Sequence, residues 1–202
     1  MPSSLLTSAA NVLLLFKAVI NSCATPVAGP YIIIPDRAEA CPRSEMALDF
    51  PMDFKIVRDR NNTNYFFVAV DWASQFTFDD TKDALLAFAS WGTRGGWKEN
   101  AMIMKFKKLC TTIKTHLPKI WNEILVRMSS NVSETPHDCP FPPGGFSVRN
   151  LSSSVLQPKG IPMLFYGKWK IDVKVVDPAD QRILGCMRLY ASVIPKIGQP
   201  VG

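Results

Sequence analysis

Side chains that could do chemistry are few in this chain, and they are scattered. There are two histidines, His116 and His137. His137-Asp138-Cys139 sets an imidazole, a carboxylate and a thiol side by side, the ingredients of a thiol nucleophile or a pair of metal ligands. No further ligand lies nearby in sequence, and in an oxidising compartment Cys139 is better used in a disulfide. Asp49 and Asp53 share one strand face and Asp79-Asp80 form a pair, so glycoside cleavage by two carboxylates is the other candidate chemistry. Solvated strand-face and turn acids account for both pairs. The G-x-S-x-G elbow, the H-E-x-x-H helix and the phosphate-binding glycine loop are missing. The reading is a protein that is not an enzyme, without metal or cofactor.

Cysteine is more informative. Leu5 to Ile20 is mostly apolar, and Ser22-Cys23-Ala24 fits the small-x-small pattern of leader cleavage. Cleavage near Ala24 removes Cys23 and leaves Cys41, Cys110, Cys139 and Cys186. Four cysteines in a secreted chain imply two disulfides, with three connectivities open. Sequons at Asn61, Asn131 and Asn150 agree with export and mark glycosylation sites. The expected organisation is a signal peptide (1–24), an extended arm (25–40), one domain (41–196) and a short tail (197–202), with the mature protein extracellular.

A formal charge of +6 is spread over strand faces (Lys168, Lys170, Lys174) and a cluster at Lys105, Lys107 and Lys108, with Lys114 and Lys119 beyond. That describes a solvated face, or one drawn to an anionic membrane surface. No stripe of basic residues interleaved with aromatics appears, so nucleic acid is not a partner.

The positive signal is apolar surplus: five Trp, twelve Phe and eight Met. Two stretches exceed what a core needs. Ile161-Pro162-Met163-Leu164-Phe165-Tyr166 is apolar without polar alternation, and Trp91 and Trp97 flank a glycine turn. A cup that holds an apolar ligand needs a greasy interior and a greasy lip. Met163, Leu164, Phe165 and Tyr166 are the candidate lip, and Trp91 and Trp97 the candidate opposite rim.

These stretches must be positioned by strands. Trp169, Ile171, Val173 and Val175 alternate with Lys168, Lys170, Asp172 and Lys174, and Asp177-Pro178-Ala179-Asp180 turns the chain into Ile183–Ile194, which predicts a hairpin. Alternation also predicts strands over 46–56, 65–78, 84–91, 97–107 and 145–156. Leu117, Ile120, Ile124 and Met128 recur at helical spacing, with Pro118 suited to a first turn, so a helix is expected near 118–129, with a turn near 110–115 ahead of it. The fold class is mostly β: an antiparallel sandwich or cup of about seven or eight strands around an apolar cavity, with one helix.

Cys139 to Phe146 (Cys-Pro-Phe, then Gly and an aromatic), the apolar loop Ile161–Tyr166, Gly167 to Ile171, and Leu184-Gly185-Cys186 running to Ser192 form a series over the last third of the domain. This series resembles the ganglioside activator protein, a lysosomal glycolipid-binding β-cup. The helix near 118–129 is similar to one in its insect relatives, the CheB-type chemosensory proteins. The resemblance implies Cys41–Cys186 and Cys110–Cys139 disulfides and a lipid cavity. It also implies secretion into chemosensory lymph, with a hydrophobic small molecule or lipid such as a pheromone or cuticular hydrocarbon as partner and a membrane surface or chemoreceptor beyond it. The activator's membrane-facing tryptophan has no counterpart here; Leu164 or Phe165 occupies that region. The other readings are a cofactor that extracts glycolipid for a lysosomal hydrolase, and an extracellular interaction module with no ligand.

Overall fold

The computed structural model describes residues 27–196 apart from 64, 134 and 157. The expected leader and the tail lie outside the described residues. In chain order the strands are β1 (Ala28–Gly29), β2 (Tyr31–Ala40), β3 (Met52–Arg58), β4 (Phe66–Ser74), β5 (Asp83–Trp91) and β6 (Trp97–Phe106). Two helices follow, α1 (Leu109–His116) and α2 (Pro118–Arg127). The chain closes with β7 (Met128–Ser130), β8 (Gly144–Ser152), β9 (Leu164–Phe165), β10 (Gly167–Val176) and β11 (Ile183–Pro195).

Sheet I has the order β2-β11-β10-β5-β6 and sheet II the order β3-β4-β8-β7. Every pairing is antiparallel, which is why the sequence alternates: each strand puts every second side chain into the interior. β10 and β11 form the long expected hairpin, from Gly167↔Val193 to Val176↔Ile183. Within the stretch expected as an extended arm or short edge strand, Tyr31–Ala40 form a ten-residue edge strand of sheet I. Pro35 has no N–H to give, and the ladder slips beside it, where Asp36 bulges out and its carboxylate accepts a bond from the Ser192 hydroxyl at 3.1 Å.

The expected strand over 46–56 is only half a strand. Met46 and Phe50 are buried and Leu48 half-buried, but pairing begins at Met52, after Pro51 has removed a donor. Apolar alternation here marks an irregular segment packed on the core. The helical region holds a helix more than expected, because α1 occupies the stretch read as a turn. Its start is capped from a distance: the Asp80 carboxylate accepts from the Thr111 N–H (2.9 Å) and hydroxyl (2.6 Å). These bonds, Thr111 first, hold the Asp80 carboxyl below its ordinary range.

Both disulfides lie at one end of the sandwich. Cys41–Cys186 joins the end of β2 to β11 (Cα–Cα 5.4 Å), and Cys110–Cys139 joins α1 to the segment before β8 (6.4 Å). Around them Phe50, Phe76, Ala84, Val175 and Leu184 form one core cluster, while Trp121, Phe141, Phe146 and Val148 form a second under the helices. Trp72 of sheet II packs against both. Gly185 is needed here: a Cβ on it would stand 3.0 Å from the Phe50 ring, so its bare backbone lets Phe50 lie flat on β11.

Candidate functional site: an open end between the sheets

From the closed end, the same inward faces run on to the other end of the molecule. Register carries the inner face of Ala84, Val175 and Gly185 up sheet I through Leu86, Val173 and Met187 to Phe88, Ile171 and Leu189. In sheet II it runs from Met52 and Trp72 through Phe54 and Val70 to Ile56 and Val68. All of these side chains beyond the core are apolar, and all are half-buried rather than buried. Protein packing that is complete around Val175 (6% exposed) and Ala84 (6%) is incomplete two residues further along the same strands. Solvent-reachable apolar surface between two sheets is what an apolar guest would cover.

The segment Ile161–Tyr166 lies at this open end, ahead of Gly167. Its backbone is pinned, while Pro162, Met163 and Phe165 are exposed and Ile161, Leu164 and Tyr166 half-buried. β9 pairs with β1, Leu164 opposite Gly29 and Phe165 opposite Ala28. The Tyr166 N–H donates to Val27 O (2.9 Å) and its hydroxyl to Pro30 O (3.1 Å). The Tyr31 hydroxyl donates to Ile161 O at 2.9 Å. Burial pushes the Tyr31 pKa up, so it stays a neutral donor. The Trp169 indole N–H holds Phe165 O at 3.1 Å, and its ring meets Phe88 edge-on at 6.4 Å. Met163 and Phe165 nevertheless remain 60% and 63% exposed.

Trp91 and Trp97 end elsewhere. They lie at the same end of sheet I, opposite each other across β5 and β6, but on the outward face. Their rings meet at 5.1 Å, and Trp97 also packs on Tyr190 at 5.7 Å and under the Lys170 ammonium at 5.8 Å. Among the described residues no contact joins this pair to Met163–Tyr166. The signal was present in strand parity: Trp97 is out of step with Met102, Met104 and Phe106, so it points the other way.

That outward face carries an ion cluster. Asp172 is buried and receives two bonds from Arg188 (2.7 and 2.8 Å), with Lys174 at 3.9 Å and Glu45 beyond. Burial raises the Asp172 pKa, but Arg188 and the two lysines outweigh it and the net direction is down. The same carboxylate pushes the Arg188 pKa further up. Cys41, Glu45, Asp172 and Cys186 place their ligand atoms within 4.8 Å of one another. Two of those atoms are sulfurs bonded to each other and the carboxylates face Arg188, so the group is an ion pair beside a disulfide.

The candidates for catalysis are not brought together. His116 is exposed, its ring against Phe106 at 5.3 Å; His137 is exposed; Cys139 is in its disulfide. Asp138 is salt-bridged to Lys114 at 2.7 Å and Asp49 faces Arg43 at 3.6 Å. Asp79 is spent on Thr81, whose N–H and hydroxyl it accepts, and Asp80 on α1. The basic cluster Lys105, Lys107 and Lys108 sits at the closed end, where β6 runs into α1, opposite to the segment Ile161–Tyr166. No helix among the described residues is long and apolar enough to cross a membrane.

Comparison with known proteins gives a likeness in structure and none in sequence. No family model matches the chain, and no curated protein matches it. Among solved structures, the crystal structure of chicken MD-1 complexed with lipid IVa is similar at 12% identity and a TM-score of 0.40, over 81% of this chain and 97% of that one. The two-sheet architecture described above rests on this chain's own strand pairings.

Proposed function

We propose that this protein carries an apolar ligand between its two sheets, binding it without catalysis, and that the ligand enters past Met163, Leu164 and Phe165. One observation supports the reading above others: on the apolar inner face of sheet I the rows from Leu86, Val173 and Met187 to Phe88, Ile171 and Leu189 are half-covered, while Ala84 and Val175 before them and Ala191 and Val193 after them are buried. A protein with a filled core has no use for that difference. The ligand fits as an acyl or hydrocarbon chain, because nothing polar lines the inner positions named above. Met187 suits a flexible chain, since the thioether adapts to its shape. The resemblance in the last third extends the proposal to a secreted chemosensory carrier of a pheromone or cuticular hydrocarbon, with a β-cup of the lipid-recognition kind. Trp91 and Trp97, on the outward face at the same end of sheet I, are left out of the lip proposed here.

The test is displacement of a fluorescent fatty acid from the purified protein, with native mass spectrometry of the untreated protein for lipid it already holds. Each methylene added to a competing ligand should tighten binding by up to about 0.8 kcal/mol, roughly fourfold, until the cavity is full. Replacing Leu164 and Phe165 together by Asp should abolish uptake and leave thermal unfolding nearly unmoved, since both side chains lie outside the two core clusters. Uptake that survives the double substitution removes the lip. Bare protein that binds no chain of any length removes the whole reading.

A further inference from the structure

The outer face of sheet II holds a trough of about 550 Å³ that lies away from the open end. Across it runs one register row, Asp53 on β3, Asp71 on β4, Ser147 on β8 and Ser129 on β7. The next row is Ala73 opposite Gly145. Small side chains leave the space, and hydroxyls and carboxylates border it.

Asn131 stands at the edge of this trough and is the first residue of the sequon Asn131-Val132-Ser133. Its orientation is set by Gly145. The Asn131 backbone N–H donates to Gly145 O at 3.0 Å, and the Gly145 N–H donates to Asn131 Oδ1 at 2.7 Å. A backbone N–H can only meet the oxygen of an amide, so the position of Nδ2 is fixed as well. That nitrogen lies 3.0 Å from where a Cβ on Gly145 would be. It is turned over the glycine, and Gly145 is itself part of the trough lining.

We propose that an N-linked glycan on Asn131 lies in this trough, its first sugars covering Gly145, Ala73 and Ser147. Nδ2 is the atom that carries the sugar, and here it is already aimed across the row with no side chain at Gly145 in the way. Sugars suit the lining: their hydroxyls donate to carboxylates and exchange bonds with serine hydroxyls. The Asn61 sequon offers a contrast within the same molecule: both asparagines are exposed, but Asn61 lies in the loop between β3 and β4 and does not line the trough. The inference depends on passage through a glycosylating secretory pathway and not on lipid carriage.

The experiment is secretion of the full chain from cultured eukaryotic cells behind a strong heterologous leader, so that export is supplied. Glycopeptide mass spectrometry then gives occupancy at Asn61 and Asn131, and a glycosidase that cuts within the core sugars is timed on native and denatured protein. Expected is an occupied Asn131 whose glycan is released at least about tenfold more slowly than that of Asn61 in the native protein, with equal rates after denaturation, as for any bond that must wait for local opening. Ala73→Trp fills the trough and should bring the native rate at Asn131 up to that at Asn61; Ser129→Tyr serves the same purpose if the first variant is not secreted. An empty Asn131 beside an occupied Asn61, equal native rates, or protection that persists with the trough filled each overturn the proposal.

Discussion

The closed end of the sandwich and the rows that follow it are built from the same strands and are packed differently. At one end Ala84, Val175 and Leu184 meet Phe50 and Phe76, two disulfides cross, and the helices close the side. Further along, those same strands present Phe88, Ile171 and Leu189 half-covered before Ala191 and Val193 are buried again, and the segment ahead of Gly167 has a tied backbone and exposed Met163 and Phe165 side chains. Stability is concentrated where packing is complete. Surface left half-covered along these middle rows contributes less to folding than the packed rows do, and it is the surface the proposed guest would cover.

The comparison can be broken most forcefully at the closed end. Replacing Cys186 by Ser opens a loop of 145 residues and should cost about 4–5 kcal/mol, read as a shift in the urea midpoint of the oxidised protein. Leu184→Ala, at a buried core position, should cost about 3 kcal/mol by the same measurement, whereas Leu189→Ala, five residues along the same strand, should cost less than about 1 kcal/mol and weaken lipid binding instead. Equal costs at the two leucines would falsify the division of labour between the ends.

Asp172→Asn tests whether the ion cluster on the outward face belongs to the stable part. It leaves Arg188, largely buried, with Glu45 as its remaining carboxylate partner among the described residues and should cost about 2–3 kcal/mol near neutral pH. The pH dependence sharpens this. The folded-state pKa of Asp172 lies below its unfolded value, so its contribution is present above roughly pH 4 and is lost as pH falls through the folded pKa. Unfolding free energies should therefore be unchanged by this residue between pH 7 and 4.5. Below that, wild type should fall more steeply than the variant. Parallel curves would place Asp172 outside the stability of the sheet.

How much of this was legible in the sequence varies by element. The β10–β11 hairpin was plain, because Trp169, Ile171, Val173 and Val175 alternate with charges on a strand that is apolar on only one face. α2 was plain because Ile120 and Ile124 recur at helical spacing and Pro118 opens it. α1 was not, since what caps it is Asp80, some thirty residues away, and a local reading of Leu109 to His116 finds no start signal. Residues 46–50 alternate like a strand yet form no ladder beyond the single bond from the Ala47 N–H to Ile183 O, because side-chain direction alone does not supply a ladder partner. The greasy run before Gly167 was conspicuous. The half-covered interior behind it was invisible, because sequence shows which side chains face inward and not how far apart the two sheets stand.

The β1–β9 pair has one more implication, this time for how the protein is handled at the bench. Gly29 and Ala28 brace Leu164 and Phe165, and at the far end of the domain's chain Lys196 donates its N–H to Pro30 O at 2.9 Å. The first and last described residues thus emerge side by side at the open end. A dye placed at Val27 or Lys196 therefore stands beside the proposed route of the ligand and would report occupancy of the interior without a label on the ligand.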